Sequence, residues 1–343
     1  MKLKCLIYAL TLTLMVIGGA QAQSPSGSPV PVTVENFARA EFDRVAASFV
    51  SLGGFGKFFH QRELVRLDRQ IVIRPNRDTL YSEAVFDLSA GPVTISLPNA
   101  GNRYMSMMVI DEDQFTQAVV YGAGTYTLSG QNVSTRYIGV LMRILVDPTN
   151  PNDLEEVHAL QDAIKVSQNN TGRFEVPNWD QTSQKKIHDA LLVLWESVHD
   201  TSRMYGTKDQ VDPVRHLIAT AAAPGGLPEK DAFYLNVTPG KNDGTTIYRL
   251  NVKDVPVDGF WSITVYNAEG YIQPNQYNVY SLNNITATKG TDGSVAIQFG
   301  GCDGKVVNCL PIMLGWNYAV RLYRPRTEIL DGKWNFPQAE PIN

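Results

Sequence analysis

The 343-residue chain is poor in cysteine and histidine and has no marked excess of either charge. Thirty Lys and Arg stand against 34 Asp and Glu, for a net charge of -4, and the cations are scattered. Without a basic patch to track phosphates, nucleic acid is not an expected partner. The five histidines are His60, His158, His188, His199 and His216, with no His-x-His or His-Glu-x-x-His among them. His188 and His199 share one expected helix face but stand about 16 Å apart, too far for one ion. No calcium-loop spacing occurs, so neither a metal nor a cofactor is expected. A Gly-x-Ser-x-Gly elbow is missing as well, which argues against an α/β-hydrolase. Gly54-Phe55-Gly56 and Gly122-Ala123-Gly124 lack the third glycine and the strand-to-helix setting of a phosphate loop. Only Cys5–Gly19 forms a long apolar run. The remainder holds no candidate membrane span, so the mature chain is expected to be soluble.

What is present begins with that run. Lys2 and Lys4 precede it and Ala20-Gln21-Ala22 follows, the layout of a secretory signal peptide cleaved after Ala22. No cysteine follows the cleavage site, so a lipoprotein anchor is not expected, and the location implied is periplasmic or secreted. Residues 23–31, rich in Ser, Pro and Gly, read as a flexible lead-in. Cys5 leaves with the signal, and Cys302 and Cys309 remain around a turn-rich loop. In an exported protein that pair reads as a structural disulfide, with free thiols as the alternative.

Periodicity divides the mature chain in three. Residues 34–52 read as a helix, and short strands then run from residue 70 to residue 146, punctuated by Gly, Pro and Asn. Amphipathic helices are expected over 153–166 and 185–199. Short strands resume after Pro224-Gly225-Gly226-Leu227-Pro228 and continue to Tyr323. The expectation is a mainly β, α+β protein: an antiparallel β-sandwich over 32–150, a helical connection over 151–223 and a jelly-roll-like sandwich over 224–343.

Two phrases carry more polar chemistry than core strands need. The first is Pro75-Asn76-Arg77-Asp78-Thr79-Leu80-Tyr81 and the second Phe260-Trp261-Ser262-Ile263-Thr264-Val265-Tyr266. Pro75 biases Arg74 toward extended backbone, and Arg77 and Asp78 should point to opposite faces. Asp78 suits a general base, or an acceptor that orients Tyr81 or a distant Arg, and Tyr81 and Tyr266 join it as candidate catalytic residues. The structural alternative closes a turn with Asn76 and Asp78 and pairs the acid with a buried cation such as Arg143. In the second phrase, period two puts Trp261, Ile263 and Val265 on one face and Phe260, Ser262, Thr264 and Tyr266 on the other. Arg321 and Tyr323 share a face likewise. Arg77, Arg143, Trp261, Arg321 and Tyr323 are therefore candidate ligand-binding residues. Asp111-Glu112-Asp113 reads as a solvated acidic loop, with an oxygen-ligand site as the lesser alternative.

These residues carry a resemblance. Val72 to Tyr81, Gly91-Pro92, Leu97-Pro98 and Arg143 are similar to the DUF1254 region of a two-part bacterial family. Gly225-Gly226-Leu227-Pro228, Tyr234, Phe260 to Tyr266, Asp292-Gly293, Arg321 to Pro325, Trp334 and Pro337 are similar to its DUF1214 partner region. The resemblance implies an N-terminal sandwich joined to a jelly-roll-like domain, and no settled reaction. Where the family often has Asn-Trp-Leu-Pro, this chain has Asn308-Cys309-Leu310-Pro311, so a disulfide would brace the site of the missing indole. The function expected is metal-independent acid/base chemistry on a small organic molecule or saccharide. The alternative is a non-catalytic carbohydrate- or partner-binding envelope protein. Nothing in the sequence speaks to oligomeric state.

Overall fold

The computed structural model describes residues 27–70, 73–198 and 200–342. The expected signal peptide, most of the lead-in, the start of the strand at Ile71 and His199 lie outside them. Among the described residues there are sixteen strands in four sheets and five helices. None of the helices is long and apolar enough to cross a membrane.

The first domain pairs two sheets. The larger has the order β1 (Phe59–His60), β2 (Thr79–Asp87), β7 (Tyr137–Leu145), β4 (Met105–Asp111) and β5 (Thr116–Tyr121). The smaller has the order β6 (Gly124–Leu128), β3 (Val93–Leu97) and β8 (Lys165–Ser167). Leu80, Phe86, Ile95, Met107, Val140 and Met142 pack between them as one apolar core. The second domain repeats the plan. One sheet runs β12 (Ser281–Asn283), β11 (Trp261–Tyr266), β15 (Asn317–Tyr323) and β9 (Ala232–Val237). The other runs β14 (Cys309–Leu310), β13 (Val295–Phe299), β10 (Tyr248–Val252) and β16 (Glu340–Pro341). Trp261, Ile263, Phe299, Trp316 and Val320 fill the space between these two. Mainly β architecture in two sandwiches is thus what the strand patterning led one to expect.

The two inner sheets face each other. A mixed cluster containing Tyr104, Met108, Leu227, Phe260 and Tyr323 joins the domains, so the four sheets form a stack. Position in the stack explains the strand patterns. Outer strands alternate buried and accessible residues, as β3 and β10 do. The inner strands β11 and β15 are buried at every residue. They are not apolar at every residue, because the face turned toward the other domain carries hydroxyls and an arginine.

Helices α1 (Phe37–Ser51), α3 (Gln181–Trp195) and α4 (Pro213–Ala222) pack on one another beside the stack through Phe37, Leu191 and Ile218. Helix α2 (Pro151–Ala163) covers the first core through Val157. Helix α4 was not foreseen. Its start is set by the Asp212 side chain, which caps the Val214 and Arg215 amides, with Pro213 at the first helical position. The short α5 (Thr327–Leu330) follows β15. Further expectations differ in detail. No strand spans residues 276–280 or surrounds Ala287; Ala287 instead donates its N–H to Asn283 O in a turn. α2 ends at Ala163, and α3 begins at Gln181 and ends at Trp195. Arg74 is not extended but left-handed, at φ 48. Its N–H bonds Gly270 O and its carbonyl accepts from Arg321, and these contacts outweigh the bias from Pro75. Cys302 and Cys309 are joined in a disulfide.

Candidate functional site between the inner sheets

Strand register brings the polar residues together in two rows. In the first domain Tyr81 pairs with Arg143, and Arg143 with Ser106. In the second, Asn283 pairs with Ser262, Ser262 with Arg321, and Arg321 with Tyr234. Both rows point into the space between the inner sheets, and Asn76 and Asp78 lie between them.

One end of this layer is centred on Arg321. Its Nη1 donates to Thr264 Oγ1 at 3.0 Å, and its Nη2 donates to Tyr266 Oη at 2.6 Å and Arg74 O at 2.8 Å. Tyr266 Oη in turn donates a hydrogen bond to Pro75 O at 2.9 Å. Asp78 accepts from Asn283 Nδ2 at 3.1 Å. Burial pushes the Asp78 carboxyl above its ordinary pKa, against the pull of Arg321 and of the neighbouring Ser262 hydroxyl. Asp78 Oδ2 and Ser262 Oγ nonetheless fall short of hydrogen-bond geometry. Burial likewise raises the Tyr266 hydroxyl, so it stays protonated at neutral pH.

The other end is centred on Arg143. Its Nη2 donates to Gly225 O at 2.6 Å, its guanidinium lies 5.5 Å from the Tyr81 ring centre, and its Nη1 has no partner. Burial opposes its charge, but Tyr81, Tyr234, Tyr323 and Tyr104 together outweigh burial and raise its pKa. Tyr104 reaches across from the first domain to pack on Phe260 and Tyr323, with ring centres 5.1 and 5.3 Å away. Glu83 shares the β2 face with Tyr81. Its Oε1 accepts from Gln61 Nε2 at 2.6 Å while its Oε2 is buried and partnerless. Burial lifts its carboxyl to about 7, against that hydrogen bond and the charge of Arg143.

The Gly225-Gly226 turn closes this end. A Cβ on Gly226 would meet the Tyr205 ring at 2.2 Å, so only glycine lets that ring lie against the backbone. A cavity of about 10 Å³, room for about one water, adjoins the turn beside Tyr205, Gln114 and His216. A wider cleft of about 340 Å³ lies in the second domain beside Pro239, Lys241 and Tyr248. It holds no signature residue, and Tyr248 Oη accepts from the Lys241 amide there.

Of the sequence candidates, Asp78, Tyr81, Arg143, Tyr266, Arg321 and Tyr323 meet in this layer. Two do not. Trp261 points the other way, into the second domain's core against Phe336, as its odd position on β11 requires. Arg77 turns away from Asp78, donates to Val65 O and lies 5.4 Å from the Tyr280 ring centre. The structural alternative also needs correcting, because the cation facing Asp78 is Arg321 and not Arg143. Asp111-Glu112-Asp113 is bound up internally: Asp113 pairs with Arg39 and Glu112 accepts from the Tyr137 amide. Among the described residues no group of three or more His, Cys, Asp or Glu could hold a metal ion. Sequence reasoning missed Glu83, Tyr104 and Asn283. An acid two residues after Tyr81 on the same strand face was a usable signal for Glu83; the other two needed the fold.

The comparisons agree with this two-part construction. The DUF1254 family, described only as a protein of unknown function, matches residues 55–168. The DUF1214 family, described in the same words, matches residues 236–327. No curated protein matches the chain. Among solved structures, the VPA0106 protein of Vibrio parahaemolyticus is 17% identical, with a TM-score of 0.66 over 91% of this chain and 100% of that one. An uncharacterised protein from Burkholderia cenocepacia is 13% identical, with a TM-score of 0.51 over 90% of this chain and 88% of the other. At those identities the likeness is one of fold. Each signature phrase falls inside one matched region, and the chain belongs to the two-part family that joins a DUF1254 region to a DUF1214 region.

Proposed function

We propose that the inter-sheet layer at Arg143 binds a small organic molecule and carries out acid–base chemistry on it with the chain's own side chains. One observation carries this reading. Polar rows from both domains meet there, yet Arg143 Nη1 and Glu83 Oε2 find no partner within the protein. Buried polar groups are ordinarily satisfied, so two unspent ones on neighbouring strands of one sheet face mark a place where something else is meant to bond. In this reading Arg143 anchors the ligand, Tyr81 and Tyr323 offer hydroxyls, and Glu83, lifted to about 7, moves a proton near neutral pH. Asp78, Tyr266 and Arg321 are positioning residues that hold the second domain's wall. Asn76, Tyr81 and Tyr234 are only half-buried while Arg143 and Tyr323 are buried, so a ligand would approach past those three.

The rival is a binding module without turnover, favoured by how fully the Arg321 end is spent on internal bonds. A thermal-shift screen of small organic acids, amides and saccharides, followed by turnover assays on the hits, separates the two. Glu83→Gln that keeps binding and loses turnover supports the enzyme. Hits with no turnover, whose binding is lost in Arg143→Met, support the module. Hits indifferent to Arg143→Met and Tyr81→Phe sink the site itself.

We also infer that the protein works in an oxidising compartment outside the cytoplasm. The Cys302–Cys309 disulfide supports this, together with the signal-like start of the sequence. N-terminal sequencing of the exported protein should begin at Gln23. Recovery of an intact Met1 from the culture would refute cleavage.

A further inference from the structure

The ligand class can be narrowed by asking which protons in the layer are unspent. Asn76 is the key, because its orientation is fixed: Asn76 Oδ1 accepts from the Asp78 amide at 2.9 Å, so its nitrogen faces the other way. That nitrogen donates to Tyr81 Oη at 3.2 Å and to Tyr323 Oη at 3.1 Å, with Thr79 Oγ1 also within reach at 3.2 Å. Both tyrosine oxygens therefore act as acceptors, and each keeps its own proton to give. No described residue takes either proton. Burial holds the Tyr323 hydroxyl well above its ordinary pKa, so it stays a donor. Arg143, 5% exposed, adds the unpartnered Nη1. One tyrosine from each domain and one buried guanidinium thus converge as three donors.

We propose that the site takes an organic molecule bearing a single carboxylate, with one carboxylate oxygen accepting from Arg143 Nη1 and the Tyr81 and Tyr323 hydroxyls completing its cradle. The inference rests on the site reading given above. Charge chooses within the anions. Arg321 has spent both terminal nitrogens, so Arg143 is the cation that remains to meet the ligand; with the Glu83 carboxyl in its protonated form this charge matches a monoanion and leaves a phosphate dianion uncompensated. Donor count argues against a neutral saccharide, whose hydroxyl protons need several acceptors where this end of the layer leaves Glu83 Oε2 unspent and the other free oxygens, Asp78 Oδ2 and Ser262 Oγ, lie at the Arg321 end.

The test is a titration of the mature protein with acetate and benzoate, their neutral amides, a monosaccharide and inorganic phosphate, read by thermal shift and calorimetry. The carboxylates should raise the melting temperature with concentration, and the amides should not. Arg143→Met should weaken carboxylate binding at least ~30-fold, because a charged partner is removed. Tyr81→Phe should weaken it ~5-fold while leaving the fold intact. If Arg143→Met does not fold, Arg143→Lys carries the same comparison, since it keeps the charge and loses the planar donor. Amides, the monosaccharide or phosphate binding better than carboxylates, with that binding still lost in Tyr81→Phe, overturn the carboxylate assignment and leave the site standing. Carboxylate binding that survives every one of these variants overturns both.

Discussion

Arg143 and Arg321 occupy matching places. Each sits on a central strand of an inner sheet, faces the opposing domain and is 5% exposed. Each has a tyrosine ring within reach, at 5.5 Å for Arg143 and 5.9 Å for Arg321. They are spent differently. Arg321 gives its terminal nitrogens to Thr264, Tyr266 and the Arg74 carbonyl, and so ties the second domain's sheet to the Asn76 phrase of the first. Arg143 gives one nitrogen to Gly225 O and keeps the other. Burying a cation is costly in both cases, but at Arg321 the cost is offset by hydrogen bonds within the fold, and at Arg143 it is only partly so. The same chemistry thus makes a fastening at one end of the layer and leaves a buried guanidinium nitrogen without a partner at the other.

The contrast can be broken by substitution. Arg321→Met strands the Arg74 carbonyl, takes the donor from the Thr264 and Tyr266 hydroxyl oxygens and removes the cation facing the Asp78 carboxyl, and should cost about 3–5 kcal/mol in urea unfolding. Arg143→Met strands one carbonyl and relieves an underpaired charge, so it should lie within about 1 kcal/mol of wild type or be more stable. Equal losses would erase the distinction. Next in size is a pH effect confined to the Arg143 end. The Glu83 carboxyl is raised from 4.5 to about 7, so the native state holds its proton more tightly than the unfolded chain does. Its contribution to stability is therefore complete below about pH 4.5 and is lost as pH rises through about 7. Glu83→Gln mimics the protonated form and should gain on wild type by up to about 3 kcal/mol between pH 5 and pH 8. An unchanged difference between those pH values would place the titration elsewhere. Asn76→Ala removes the amide that serves a tyrosine from each domain and should cost about 2 kcal/mol. The smallest contrast is between two phenols: Tyr266→Phe should cost about 1–2 kcal/mol and Tyr81→Phe under about 0.5 kcal/mol, measured by the same unfolding midpoint.

Much of this layer was legible in the sequence, and the reason is period two. The alternation in Phe260 to Tyr266 correctly separated Ser262, Thr264 and Tyr266 from Trp261, and the pairing of Arg321 with Tyr323 on one face followed equally well. What alternation cannot supply is the identity of the covering layer. A strand face with hydroxyls and an arginine reads the same whether solvent, ligand or another domain lies over it. Hence Asp78 was matched with Arg143 when Arg321, 243 residues further along, is its cation. Arg74 failed for a related reason: a local bias from Pro75 was overruled by Gly270, a distant partner. Helix α4 was not foreseen although its Asp212-Pro213 start is a standard signal, because it is only 10 residues long and runs straight into the Pro224–Pro228 turn.

The meeting of two polar sheet faces has a consequence for how such a chain can be divided. Each sandwich owns its own apolar core. Neither half owns the layer between them, since Tyr81 and Arg143 belong to one and Tyr323 and Gly225 to the other. A gene carrying only one region would therefore encode a sandwich with half a set of donors, and half of the Tyr104–Phe260–Tyr323 apolar cluster, on an open face. Whatever chemistry the layer performs is inherited as a joint property of two regions that must be kept together to keep it.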